Sequence, residues 1–192
     1  MVKVLFLIHD LGQGGAEKVL INLVNHMDKS KYDITVISLF GGGVGEKLLC
    51  ADVKYKTVFR RMIPGNSRWM KLWTPRQLHK MYVKGHYDIE ISYLEGPSAR
   101  VVSGCTDKNT KLVSWINSIH GSKEMLSKPF RSLSEAIDSY SKFDTAVCVS
   151  SMVKDDFLKC SSYRKPSVVL YNTVDSEDIL KKASESSDAF FI

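Results

Sequence analysis

The sequence predicts an α/β fold: a Rossmann-like, doubly wound, mostly parallel sheet of about seven strands with helices on both faces. Three observations carry that. Short apolar runs recur along the chain with helix-patterned stretches between them. The first run, Val2 to Ile8 (VKVLFLI), is almost continuously apolar, as in a strand buried on both sides of a parallel sheet. It leads through Gly12, Gly14 and Gly15 into a segment whose Ala16, Val19, Leu20, Leu23, Val24 and Met27 recur at steps of three and four, one face of a helix. Strand, glycine turn and helix make half of a βαβ unit. Such a unit aims backbone N–H groups and a helix N-terminus at whatever sits above the strand's carboxyl end. Open α/β sheets bind ligands at that edge.

The remaining elements follow in order. Ile34 to Phe40 (ITVISLF) is rich in β-branched residues and reads as a second strand, ended by Gly41, Gly42 and Gly43. Glu46 to Ala51 is assigned a short helix and Tyr55 to Phe59 a third strand. Met62 to Trp73 resists assignment, because Pro64, Gly65 and Asn66 favour turns and the rest is aromatic and basic. Pro75 suits the first turn of a helix reaching about Val83. Asp88 to Leu94 (DIEISYL) alternates as a fourth strand, Pro97 to Ser103 reads as a short helix, and Lys111 to Ile116 (KLVSWI) as a fifth strand. Ser132 to Lys142 places Leu133, Ala136, Ile137 and Tyr140 on one helical face. Thr145 to Val149 is the sixth strand, and Ser150 or Ser151 caps a helix running through Leu158. Val168 to Tyr171 is the seventh strand, and Ile179 to Ala183 lies in a last helix.

At 192 residues the chain suits one substantial α/β domain and not two large ones. A hydrophobic content of 44% without low-complexity tracts argues for a folded chain. No apolar run approaches the about 20 residues of a membrane span. The opening run has no small-residue cleavage site and does not read as a secretory signal, so a cytoplasmic chain is expected. Cys50, Cys105, Cys148 and Cys160 show no CxxC spacing; free thiols are expected over zinc ligands or disulfides. The net charge of +6 concentrates at Arg60, Arg61, Arg68, Lys71, Arg76, Lys80 and Lys84, with Phe59, Trp69, Trp73 and Tyr82 among them. That cluster is either a solvated basic face or an attractor of phosphates or acidic lipid head groups. No nucleic-acid-binding motif accompanies it, which disfavours nucleic acid.

The glycine turn is no dinucleotide fingerprint. Gly12-Gln13-Gly14 supplies the first two glycines of G-x-G-x-x-G, but Glu17 stands where the third belongs. The second strand ends in Phe40 and glycines, where an NAD site needs Asp or Glu. No G-x-x-x-x-G-K-[ST] occurs either. What remains is a turn whose glycines either let a ligand approach the backbone or only tighten the packing. Trp115 to Gly121 (WINSIHG) follows the fifth strand; His120 there is either a contact for a sugar hydroxyl or a solvent-exposed loop histidine. Glu95-Gly96-Pro97 follows the fourth strand. Its acid is a candidate base or hydroxyl binder, or a cap for the next helix.

Taken together, GGAEKVLINLVNHM, SWINSIHG, CVSSMVKDDF and VLYNTVDSEDI resemble, in order and spacing, the N-terminal half of a retaining glycosyltransferase of the GT-B fold. More narrowly, they are similar to the family-4 group that builds bacterial polysaccharides and glycolipids. The resemblance runs from Val2 to about Ala183. It implies two Rossmann-like domains facing across a cleft, with the acceptor on the N-terminal one and most of the nucleotide-sugar donor on the C-terminal one. Residues 1–183 would be the acceptor-binding domain, and 184–192, ending in AFFI, the start of a linker or of the second domain's first strand. Carried over by position, Gly14, Gly15, Glu17 and Gly96 would lie near the donor diphosphate or the acceptor, and Asn172 and Asp175 would mark the crossing between domains. Glu95, Asn117 and His120 are the catalytic candidates. The family places a donor-sugar histidine directly after a Trp-Ile pair; here Asn117 holds that place and His120 comes three residues later.

The implied partners are a C-terminal donor-binding domain, a nucleotide sugar, and a glycan or lipid-linked acceptor. The inner face of the cytoplasmic membrane is a candidate resting place for the basic cluster. No cofactor and no metal are expected, and the chain alone is expected to transfer no sugar. Two other readings stand beside this one. One is a binding module served by a separate donor-domain partner. The other is a Rossmann-like enzyme of another class, disfavoured by the missing acid after the second strand and the lack of a Tyr-x-x-x-Lys pair.

Overall fold

The computed structural model describes residues 1–61, 69–173, 180 and 184. One sheet holds β1 (Val2–Ile8), β2 (Tyr32–Phe40), β3 (Lys54–Phe59), β4 (Ile89–Tyr93), β5 (Lys111–Ile116), β6 (Thr145–Cys148) and β7 (Ser167–Val169). Their order is β3-β2-β1-β4-β5-β6-β7, and every pairing is parallel. The helices are α1 (Gly15–His26), α2 (Pro75–Tyr82), α3 (Pro97–Val102), α4 (Lys123–Ser127), α5 (Leu133–Lys142) and α6 (Ser151–Ser161). The order reverses at β1, so the crevice between the carboxyl ends of β1 and β4 is the topological switch point.

β1 is apolar throughout because it is central. Leu5 and Leu7 face a core shared with Leu78 of α2, Val101 of α3, Tyr140 of α5 and Phe157 of α6. Val4, Phe6 and Ile8 face the other core, against Leu20, Ile21 and Val24 of α1. Full burial of each such side chain is worth about 1.5–3 kcal/mol, which no half-exposed alternation would supply. Thr74, Ser132 and Ser150 cap α2, α5 and α6 with their hydroxyls, so Ser150 and not Ser151 starts the last of these.

Two short elements depart from expectation. Glu46 to Ala51 is not a helix; a 3-10 turn spans Val44–Leu48 instead. Glu46 reaches back to the N–H groups of Gly42 and Gly43 at 2.6 and 3.0 Å, and Gly45 N–H donates to the Leu11 carbonyl at 2.9 Å. That carbonyl leaves no room for a Cβ on Gly43 or Gly45, so these glycines serve close packing of the β2 turn on the β1 loop. α4 was not foreseen; the Ser122 hydroxyl accepts from Met125 N–H, and Leu126 is buried. Most of the expected last helix, Asp175, Arg68 and residues 185–192 lie outside the described residues.

One buried cation ties the irregular segment before α2 to the body. Arg100 of α3 is 1% exposed. Its guanidinium donates to the carbonyls of Met70 and Trp73 at 2.7 and 2.6 Å and forks onto Glu135 of α5 at 3.1 Å twice.

Candidate functional site

Three neighbouring strands, β1, β4 and β5, send their carboxyl-end loops to one edge. After β1, the His9 ring packs on Phe40 with centroids 4.8 Å apart, and its Nδ1 lies 2.6 Å from Asp10 Oδ2. The other Asp10 oxygen accepts from Gly12 N–H at 2.8 Å. α1 then begins with Gly14 as its N-cap, which has no side chain to satisfy the first-turn amides. A Cβ built on Gly15 meets nothing within 4 Å, whereas one on Gly14 would strike the Glu17 carboxylate. The helix start is thus open at Gly15 and covered by an acid at Gly14.

After β4, Leu94 and Gly96 both take positive φ, 71° and 86°. Gly96 is also packed, since a Cβ there would come within 3.0 Å of Pro129. This contorted turn aims Glu95 sideways. Its Oε1 accepts from the backbone N–H groups of Asn117 and Ser118 at 2.6 and 2.7 Å. The role offered as a cap for the following helix is therefore not the one it plays: Gly96 is that N-cap, and no side chain caps α3. Asp156 of α6 holds the far end of the same loop, accepting from His120 N–H at 2.6 Å and Gly121 N–H at 3.0 Å. Two carboxylates thus clamp the segment after β5.

The clamped loop presents unpaired polar atoms. Asn117 Oδ1 and His120 Nδ1 are buried without a hydrogen-bond partner, and so are the Tyr93 hydroxyl and Trp115 Nε1 at the ends of β4 and β5. His120 Nδ1 stands 3.8 Å from Asp156 Oδ2, too far for a hydrogen bond. His120 is not the solvent-exposed alternative, since its side chain is 11% exposed. Tyr93 and Trp115 are cross-strand partners with ring centroids 5.3 Å apart. Burial, with the Glu17 charge adding, pushes the Tyr93 hydroxyl pKa well above its usual value, so it stays a neutral donor. Each unsatisfied buried group costs about 1–3 kcal/mol, so four together at one edge point to a ligand that satisfies them.

The structure therefore brings Gly14, Gly15, Glu17, Glu95, Gly96, Asn117 and His120 to one edge. Asn172 is exposed beyond β7, separated from β4 by β5 and β6. Sequence reasoning missed His9 and Asp10, although their position directly after β1 at the switch point was a usable signal. It also missed Asp156, Tyr93 and Trp115. Nothing in spacing marks Asp156, 36 residues from the His120 N–H that it holds.

A doubly wound parallel sheet with an uncapped helix start and unpaired polar atoms along its carboxyl edge defines a ligand-binding domain of the Rossmann-like class. The chain belongs to Glycosyltransferase Family 4, whose family model matches residues 13–178. Its fold is that of the N-terminal half of a GT-B glycosyltransferase. HepE (Alr3699) of Anabaena, solved with UDP and glucose, aligns with a TM-score of 0.60 at 17% identity, over 96% of this chain and 50% of that one. The N-terminal domain of Candida albicans trehalose-6-phosphate phosphatase aligns at 0.66 and 12% identity, over 97% and 52%. The lipopolysaccharide outer core galactosyltransferase WaaB, in its apo form, aligns at 0.54 and 19% identity, over 91% and 46%. At such identities the likeness is one of fold. The chain spans about half the length of these solved structures. No protein of curated function matches it in sequence.

Proposed function

We propose that this chain is the acceptor-side half of a retaining glycosyltransferase. The enzyme would move a sugar from a nucleotide-sugar donor to a glycan or lipid-linked acceptor, in polysaccharide or glycolipid synthesis. The observation that carries this reading is the coincidence, along the carboxyl edge of β1, β4 and β5, of the uncapped α1 start with the unpaired atoms of Asn117, His120, Tyr93 and Trp115. The α1 amides and Gly15 suit the donor diphosphate, because they offer N–H groups, a positive dipole end and room for close approach. A phosphate arriving there displaces the Glu17 carboxylate from Gly14. Asn117 and His120 suit the hydroxyls of the transferred sugar, and Glu95 and Asp156 are positioning residues that hold their loop. If His9 donates its Nδ1 proton to Asp10, its Nε2 is left as an acceptor for a hydroxyl of the incoming acceptor. The nucleotide sugar is substrate, and no separate cofactor or metal enters the transfer in this reading.

The donor side of the cleft would come from a second Rossmann-like domain, in keeping with the half-length match to solved structures. Holding two reactants in register is worth roughly 7–11 kcal/mol of barrier. The isolated chain, incubated with UDP- and GDP-sugars and glycan or lipid acceptors, is therefore expected to release no nucleoside diphosphate. A longer protein containing both domains is expected to do so. Turnover by the isolated chain at the rate of the longer protein overturns the half-site reading.

A further inference from the structure

A second cluster of reactive side chains lies apart from this edge. His79 projects from the last turn of α2, Glu90 stands on β4, and Cys105 follows α3. One ligand atom from each lies within 4.8 Å of the others, and His79 Nε2 is 2.8 Å from Glu90 Oε2. The three line a cavity of about 410 Å³. Arg76 and Lys80 of α2, His86 and Tyr87, which precede β4, and Asp107 and Thr110, which precede β5, also line it, so it opens where the strands begin and not where the glycosyl-transfer site lies.

The cluster is built to hold positive charge. Glu90 is 2% exposed, and a buried carboxylate is costly unless a cation meets it. His79 Nε2 meets that carboxylate at 2.8 Å, and the Cys105 sulfur lies beside the pair. We propose that His79, Glu90 and Cys105 form a binding site for one zinc ion, independent of the sugar-transfer reading. Imidazole nitrogen, carboxylate oxygen and thiolate sulfur are a donor set that zinc takes in tetrahedral geometry. The ion bonds Nε2, Oε2 and Sγ, and its fourth position faces the cavity. The Cys105 thiol proton and any proton on His79 Nε2 leave to solvent as the ion binds. The imidazole–carboxylate pair widens only to about 3.3 Å to become tetrahedral neighbours. The ion would pin α2, β4 and the turn after α3 to one another. CxxC spacing gives no sign of such a site, because its ligands sit on three separate elements.

Cobalt(II) and zinc(II), added to the chelator-treated chain, test this. One equivalent of cobalt is expected, with a thiolate-to-metal charge-transfer band, and equimolar zinc should displace it. Zinc should also raise the Tm. C105S should lose the band, and H79Q should weaken binding by more than the roughly 10- to 100-fold that loss of a supporting partner costs. C50S should bind as the parent does, since Cys50 lies elsewhere and is exposed. Both site variants can be checked for folding by circular dichroism, and a folded variant whose Tm no longer responds to zinc supports the site. No uptake, or uptake and a zinc-dependent Tm unchanged by C105S, overturns it.

Discussion

The glycines along the ligand edge do different work, and single substitutions separate them. Gly15 faces open space, so Gly15→Val should leave the domain folded. Glycine is a poorer helix former than valine, so the change carries no propensity cost and the Tm should stay within about 2 °C of the parent. In the two-domain enzyme, however, the added side chain would fill the approach to the α1 amides, and kcat/KM should fall sharply. Normal kinetics for this variant would leave the turn a purely structural one. Gly43→Ala is the converse case. Its Cβ would run into the Leu11 carbonyl, so we expect a Tm loss clearly larger than that of Gly15→Val. His79 gives a pH test of the metal-free chain. Its folded pKa of about 9 lies above the usual imidazole value of about 6.5. The stabilisation is therefore complete below about pH 6.5 and is lost as pH rises through about 9. The groups around it are Glu90 and Cys105, with Arg76, Lys80, His86, Tyr87 and Asp107 on the cavity wall. Denaturant midpoints should fall between pH 6.5 and 9 in the parent and fall less in His79→Gln.

At the scale of elements, the central strands were legible because they are apolar runs in a sheet covered on both sides, while the edge strands β3 and β7 are partly exposed. β1 and β5 match their sequence readings at both ends, Val2–Ile8 and Lys111–Ile116. Two short helical turns were not legible. The 3-10 turn at Val44–Leu48 and α4 at Lys123–Ser127 are too brief for a periodic signal and depend on tertiary contacts. The site was half legible for the same reason. The turn after β1 and the loop after β5 announce themselves by position, but the pairing of Glu95 with Asn117, 22 residues on, is a product of strand order. Arg100 is the clearest case of hidden dependence. In sequence it is one basic residue in a short helix, yet it satisfies two carbonyls of the segment before α2 and one carboxylate of α5. Removing one partner of a buried ion pair costs about 3–5 kcal/mol. Glu135 retains the Arg131 N–H, so Arg100→Met should lie near the lower end, about 3 kcal/mol by urea denaturation. A loss under about 1 kcal/mol would show that the segment is held by its apolar contacts instead.

At the scale of the whole molecule, the surface question is what the basic cluster meets. Among the described residues, no helix is long and apolar enough to cross a membrane. The alternatives were a plain basic face with Trp69 and Trp73 turned inward, or a membrane-resting surface. Trp73 packs against the core, but Trp69 and Leu72 are 67% and 71% exposed. Trp69 lines an apolar cleft of about 150 Å³ with Phe59, Met70, Trp73, Met81 and Tyr82. Arg60, Arg61, Arg76, Lys80 and Lys84 are all exposed, while Lys71 is spent in part on the Lys128 carbonyl at 2.6 Å. Exposed indole and leucine beside cations fit a bilayer head-group layer better than water, since indoles favour that layer and each cation near an anionic surface adds about 1 kcal/mol. We expect the chain to sediment with anionic vesicles at low salt, to be released by high salt, and to stay in the supernatant with zwitterionic ones. Trp69→Ser with Leu72→Ser should weaken sedimentation without lowering the Tm, because neither side chain is buried. A chain that remains in the supernatant with both vesicle types at low salt does not rest on membranes through this face, and its acceptor is then soluble or reached through another surface.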